Sequence, residues 1–285
     1  MGATGLFVGR STLDIVYACD RLPEADAKVD ARAGYVAAGG PALNAAITFA
    51  DLGGHARLCS VVGQGAFADR VRQELDDHEV ELLDAAAGER DVLPASSILL
   101  TGASRAIVNQ PLPSRAGGLR GGLPDQLRAT RPDVVLSDGH LPELALPVLR
   151  WARQAAVPTV LDGGSWKPWT GELLPWIDIA IVSSRFRPPG SADVLETMAG
   201  TVAAVAVTNG PRPIRWRMGG ASGEIAPEAV QAVDTLGAGD VFHGAFCHAF
   251  ARMGEFAGSL AEAAGVASRS CTTWGPRLAR PGSDA

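Results

Sequence analysis

No apolar run in this 285-residue chain approaches the length of about 20 residues that crosses a bilayer, and the N-terminus has no basic region followed by an apolar stretch. That predicts a chain neither spanning a membrane nor carrying a secretory leader, at work in the cytoplasm. Cysteine is sparse. Cys19, Cys59, Cys247 and Cys271 lie far apart with no Cys-x-x-Cys pair, which argues against a disulfide frame or a zinc site and for reduced core thiols. The five histidines show no ligand spacing, and His243 and His248, five apart on one predicted helix, fall on different faces. A surplus of positive charge is also missing. With 25 Lys and Arg against 31 Asp and Glu the net charge is −6 and the pI near 5.4, so no basic face awaits a nucleic acid. What remains, 47% hydrophobic and 20% charged residues, is the make-up of one large globular domain with a substantial core.

Within that background one stretch stands out. The apolar run Ile225 to Val233 stops at Asp234, and Gly237-Ala238-Gly239 then precedes a helical pattern with Phe242, Phe246 and Phe250 spaced four apart on one face. Glycines at a helix start let the backbone turn freely and leave first-turn N–H groups pointing outward. With the positive end of the helix dipole they make an anion site. Asp240 sits in that first turn. Either it caps the helix, as Asp commonly does, or it accepts a proton beside a bound phosphate.

Toward the N-terminus, Leu6 to Gly9 reads as a short strand, followed by a polar segment containing Asp14 and a turn at Arg21-Leu22-Pro23. Val29 to Ala38 reads as an edge strand. Gly39-Gly40 then opens a helix of about ten residues, with Asn44 in its first turn and Gly53-Gly54 as the stop. By themselves, Asp14 reads as a solvated loop carboxylate and Asn44 as a residue packed in the first helical turn. Arg57 to Val62 is a strand, and Gly63-Gln64-Gly65-Ala66-Phe67-Ala68 opens the next helix with Asp84 ending the strand after it. Those positions meet the dinucleotide-binding fingerprint. Against an oxidoreductase, such a fingerprint normally follows the first strand of its fold, and here a strand and a helix come earlier.

Ser96 to Leu100 and Ala106 to Asn109 read as a hairpin around Thr101-Gly102-Ala103-Ser104, and Pro111, Pro113, Gly117, Gly118, Gly121 and Gly122 mark a long loop. From Pro132 the pattern alternates strand and helix: Val134 to Leu136, Leu141 to Ala156, Thr159 to Asp162, Ile179 to Val182, Val202 to Thr208. That predicts a parallel sheet covered on both faces, with ligands at the carboxyl ends of its strands. Asp162, Ser183, Thr208 and the Gly237–Asp240 turn then share one rim. Asn209-Gly210 is by itself a turn signal. Ala261 to Trp274 reads as a helix rich in small residues.

Asp234-Thr235-x-Gly237-Ala238-Gly239-Asp240 resembles the C-terminal signature of the ribokinase family, the phosphofructokinase-B type of sugar and nucleoside kinases. Gly39-Gly40, Asn44 and the closing Gly53-Gly54 resemble its N-terminal signature. The resemblance runs from Gly9 to Gly275 and implies a single ribokinase-like domain, residues 1–285. Its fold is a three-layer α/β/α sandwich on a mostly parallel sheet, with a small β lid from segments near 14–38 and 96–112. By the same resemblance Asp240 is the catalytic base, and Gly237, Ala238 and Gly239 form the anion hole. Asp14, Gly39, Gly40 and Asn44 hold the sugar, joined by Arg105 and Asn109 if these are more than exposed hairpin residues. Ser183, Thr208 and Gly210, with Gly237 and Gly239, meet the nucleotide. ATP and Mg2+ are the implied cofactors, a monovalent cation such as K+ lies near Asp234, and a lid-to-lid homodimer is the implied assembly. The sequence after Asp240 looks closest to ketose-type members, which favours a ketohexose; a nucleoside kinase of the same fold is the alternative. Ser183-Ser184-Arg185-Phe186 stands where many relatives carry Asn-x-x-Glu for magnesium. This departure leaves the metal ligands unassigned and keeps a non-catalytic sugar-binding protein in play.

Overall fold

The computed structural model describes residues 2–102, 104–111 and 130–278. Thirteen strands appear among them: β1 (Thr4–Val8), β2 (Thr12–Ala18), β3 (Ala33–Gly39), β4 (His55–Ser60), β5 (Glu81–Asp84), β6 (Ala95–Thr101), β7 (Ser104–Asn109), β8 (Val134–Ser137), β9 (Thr159–Gly163), β10 (Ile179–Ser183), β11 (Ala204–Asn209), β12 (Arg212–Met218) and β13 (Ala221–Ile225). The helices are α1 (Pro41–Asp51), α2 (Ala66–Asp77), α3 (Pro142–Gln154), α4 (Thr170–Leu173), α5 (Val194–Ala199), α6 (Ala238–Met253) and α7 (Phe256–Ser270). Nine strands form one sheet in the order β13-β12-β11-β10-β9-β8-β1-β4-β5, parallel from β11 to β5 and antiparallel at the β12 and β13 edge.

Alternation along each strand feeds two separate cores. Phe7, Leu136 and Ile181 point to a face covered by α1, α2, α6 and α7, where Phe49, Phe246 and Phe256 are fully buried. Leu6, Val8, Ala180 and Val182 point to the other face, against Leu144, Val148 and Leu149 of α3 and Met198 of α5. On α6 the four-residue spacing serves the core as expected: Phe246 stacks on Phe250 at 5.6 Å and meets Phe256 edge-on at 5.9 Å.

The fit of α6 against α1 depends on one missing side chain. A Cβ at Gly244 would run into the Ala45 carbonyl oxygen and lie 2.7 Å from Thr48 Cβ. Glycine therefore lets the two helix backbones touch. Asn44 precedes Ala45, and Asp240 lies one turn before Gly244, so this contact carries the two signature segments to each other.

A second sheet of four strands, in the order β3-β2-β6-β7, stands apart. Here the sequence reading needs correction. The polar segment around Asp14 is the strand β2, central in this sheet; Thr12 and Asp14 gave it a loop-like look, but every second residue packs inward. Register places Ala37, Asp14, Ser96 and Asn109 in one row across the four strands. Arg105 pairs with Leu100, which pairs with Ala18, four residues or about 13 Å along β2 from Asp14. The structure therefore groups Asn109 with Asp14 and leaves Arg105 at the far end. On the opposite surface Tyr17, Val36 and Val108 are exposed, Val108 at 72%. Leu112 and the expected long loop at Pro113, Gly117, Gly118, Gly121 and Gly122 lie outside the described residues.

The dinucleotide fingerprint is overturned by its own acid. The Asp84 carboxylate accepts the Val62, Gly63 and Ala86 N–H groups at 3.0, 3.0 and 2.9 Å and pairs with Arg72. It anchors the Gly63 loop and has no lone pair left for a ribose.

Candidate active site

Four carboxylates converge beyond the carboxyl ends of the central strands: Asp138 after β8, Asp162 on β9, Asp240 on α6 and, from the small sheet, Asp14. Asp138 is the local hinge pin. Its two oxygens accept the backbone N–H groups of Arg10 at 2.8 Å, Ala42 at 3.3 Å and His140 at 2.8 Å, tying three loops together.

Asp14 accepts the Thr12 hydroxyl at 2.7 Å, and burial raises its pKa despite hydrogen bonds from Thr12 and Ser96 and the nearby Arg277 and Arg10 charges. A Cβ at Gly39 would collide with the Asp14 carboxylate, so only glycine lets β3 pass there. Gly40 holds φ +103, a region L residues rarely enter, and a Cβ there would strike the Arg10 carbonyl. The Gly39-Gly40 pair is thus a close-approach turn that brings α1 onto Asp14.

Asn44 is buried in the first turn of α1, and its Nδ2 donates to Asp240 Oδ2 at 2.7 Å. Among the described residues Asp240 forms no salt bridge with Lys or Arg. Burial first, then the charge of Asp162, push its pKa up to about 7, against the pull of the Asn44 hydrogen bond and His243. A carboxylate poised there is partly ionised at neutral pH and an effective proton acceptor. The turn before it behaves as the glycines require: Gly237 caps α6 in the left-handed region at φ +76. The amides of Gly239 and Asp240 open the helix, where no intrahelical acceptor exists. The Ala238 N–H is partly occupied, donating to the Thr235 carbonyl at 3.4 Å.

His243 locks that turn to the sheet. Its ring nitrogens lie 2.7 Å from the Gly239 carbonyl oxygen and 3.1 Å from that of Ile181 in β10. Asp162 Oδ2 is 3.3 Å from Nδ1 and, buried, has no hydrogen-bond partner; burial and Asp138 raise the Asp162 pKa to about 8. Ser183 and Thr208 stand side by side at the ends of β10 and β11, and the expected Asn209-Gly210 turn is present with Gly210 at φ +58. Among the described residues neither forms a hydrogen bond with the Gly237–Asp240 turn. Phe186 is buried and meets Trp166 edge-on at 5.4 Å, so this position is a core ring and offers no ligand to a metal.

Among the described residues no group of three or more His, Cys, Asp or Glu side chains converges as a metal cage. The donors present are Asp162, with its unpaired oxygen, and the Ser183 hydroxyl. Both are hard oxygen ligands, and they fit a magnesium ion that takes most of its coordination from phosphates and water. Two contributors escaped the sequence reading. Arg277, after α7, hydrogen-bonds Asn44 Oδ1 at 2.7 Å, and its partner Glu74 lies 203 positions away. No local spacing could reveal it. Asp138, one residue past a strand end, carried the signal of any rim carboxylate.

The pfkB family carbohydrate kinase model matches residues 6–91 and 142–281, and so includes the Gly39–Asn44 turn, Asp240 and Arg277. The chain belongs to the pfkB family. A ribokinase of Bacillus subtilis is 24% identical over 290 residues, covering 96% of this chain and 94% of the relative. The solved Arabidopsis thaliana ribokinase complexed with ribose and ATP has a TM-score of 0.74 at 24% identity, covering 96% and 94% of the two chains. A Xylella fastidiosa fructokinase with bound ATP also has a TM-score of 0.74, at 19% identity, covering 96% and 94%. The ribokinase-like layered fold is therefore the fold of this pfkB protein, and its chemistry is phosphoryl transfer to an alcohol. No helix among the described residues is long and apolar enough to cross a membrane.

As a kinase with Asp240 as acceptor, this protein should show kcat/KM rising with pH through an apparent midpoint near 7, because only the ionised carboxylate takes a proton. Steady-state rates from pH 5 to 9 check this; a profile flat across that range contradicts the base role.

Proposed function

We infer that the protein is an ATP-dependent sugar kinase in which Asp240 deprotonates a hydroxyl of a ketohexose-like sugar. The observation that carries this reading is the 2.7 Å bond joining Asn44 to Asp240, which unites a hydroxyl-binding turn with a base at an anion-binding helix start. The sugar lies between Asp14, Asn44 and Asp240, with the Gly39-Gly40 backbone against its hydroxyls. Asn109, in the Asp14 row, reaches it from β7, while Arg105 contacts it only if the small sheet closes.

Transfer needs a phosphoryl group in line with that hydroxyl. The Gly237 to Gly239 amides and the α6 dipole take up charge on it, and such donors are worth about 3 kcal/mol or more when well placed. Asp240 receives the proton as the oxygen–phosphorus bond forms. Ser183, Thr208 and Gly210 receive the nucleotide. Magnesium, when bound, neutralises phosphate charge, and Asp162 and Ser183 are the residues that would hold it. The backbone around Asp234, whose carboxylate is held by the Leu236 and Gly275 amides at 2.8 and 3.2 Å, is the seat for a monovalent cation.

The four-stranded sheet acts as a lid within one kinase domain, excluding water from the phosphoryl group. Its apolar outer surface at Tyr17, Val36 and Val108 supports pairing with the lid of a second copy in a cytoplasmic homodimer. The deciding experiment is ADP release with ATP, Mg2+ and a panel of ketohexoses, pentoses, sugar acids and nucleosides, with and without K+. The expected result is turnover on a ketohexose. Turnover confined to nucleosides moves the substrate class, and sugar binding with no ADP from any acceptor makes the protein a non-catalytic binder.

A further inference from the structure

Arg277 reaches the site from the segment following α7, and all five of its N–H donors are already engaged. Nε and Nη2 donate to Glu74 Oε1 at 2.9 and 2.7 Å, and Nη2 also to the Ala38 carbonyl at 2.6 Å. Nη1 donates to Asn44 Oδ1 at 2.7 Å and to the Pro276 carbonyl at 3.5 Å. Glu74 is pinned in turn, its Oε2 accepting the Ala38 N–H at 2.9 Å and pairing with Arg70 at 3.2 Å. A guanidinium so fully spent has nothing to offer a ligand. Its effect falls on Asn44. The two ends of a carboxamide have nearly the same shape, and only the neighbours decide which end faces which way. A donor on Oδ1 turns Nδ2, the donating end, toward Asp240.

We propose that Arg277 is a positioning residue for the base: by holding Asn44 Oδ1 it fixes the amide that donates to Asp240, and so makes the carboxylate's orientation depend on a residue outside both signatures. The proposal rests on reading Asp240 as the base. The groups facing Asp240 are Asp162 from β9, Asp14 from β2, His243 on its own helix and Asn44 from α1. Of these, Asn44 supplies a direct hydrogen bond, and that bond favours the ionised form. Without Arg277 the amide is free to turn its oxygen toward the carboxylate, and Asp240 then holds its proton more tightly.

The test is a pair of variants with two readouts. In Arg277→Met and in Arg277→Lys, which keeps the charge but lacks the fork, the acidic limb of kcat/KM moves up by about one pH unit, and the rate at pH 7 falls about fivefold. The change acts through Asn44, so adding Arg277→Met to Asn44→Ala costs little more than Asn44→Ala alone. The second readout needs no turnover. In the wild type the Asn44 side-chain amide resonances follow the titration of Asp240, and in both Arg277 variants that dependence disappears. An unmoved acidic limb, rate losses that multiply in the double variant, or an Asn44 amide still tracking Asp240 would each overturn the proposal. Should Arg277→Met not fold, Arg277→Lys carries both readouts. If the wild type phosphorylates nothing, the base reading fails, while the amide titration still decides whether Arg277 holds Asn44.

Discussion

Asp240→Asn loses about 10³-fold in kcat while keeping its fold and its affinity for ATP. The substitution preserves shape but not chemistry. An amide oxygen in the same place still accepts the Asn44 Nδ2 hydrogen bond, so the contact between α1 and α6 persists, but an amide cannot take a proton from an alcohol. Stability should hold or rise, because the buried carboxylate, pushed up to about 7 by desolvation and Asp162, carries a cost that the neutral amide lacks. The glycine amides at the helix start are untouched, so nucleotide affinity follows the wild type. ADP release at saturating sugar, a melting curve and calorimetric ATP titration separate the three quantities. Turnover within a factor of about three of wild type would assign the proton transfer elsewhere.

Gly244→Val is expected to damage both the fold and the rate. Its Cβ meets the Ala45 carbonyl, and a backbone oxygen cannot swing aside as a flexible side chain would. The two helices must part, and overpacking of this kind costs about 3 kcal/mol, lowering Tm by about 6 °C in a chain of this size. Parting them also stretches the 2.7 Å bond between Asn44 and Asp240, since those residues adjoin the contact on each helix. The expected sign of this second effect is a fall in kcat that persists well below the melting transition. A variant with lowered Tm but wild-type kcat would show that the Asn44 to Asp240 spacing is not set by this glycine.

Much of this architecture was legible in the residues. The parallel strands read as short apolar runs because both faces are covered, and the glycine starts of α1 and α6 marked their helices because backbone conformation there demands glycine. What stayed hidden had physical reasons. β2 was obscured by Thr12 and Asp14, polar residues that share one face of the strand with Val16 and Ala18, which pack. The β12–β13 hairpin did leave a signal, Gly219-Gly220 between alternating residues such as Ile214, Arg215 and Trp216, that the reading of the chain passed over. Lone residues fared worst. Arg277 acquires meaning only when the folded chain sets it beside Glu74 and Asn44, and His243, read as an unremarkable helix residue, turns out to bolt the Gly237–Asp240 turn to β10.

A protein made from its N-terminus meets these parts in a set order. Among the described residues the last strand ends at Ile225, Asp240 follows fifteen residues later, and the guanidinium that bonds Asn44 arrives only at residue 277. A nascent chain can therefore complete its sheet and α6 before Arg277 is there to bond Asn44, and that bond is among the last to form.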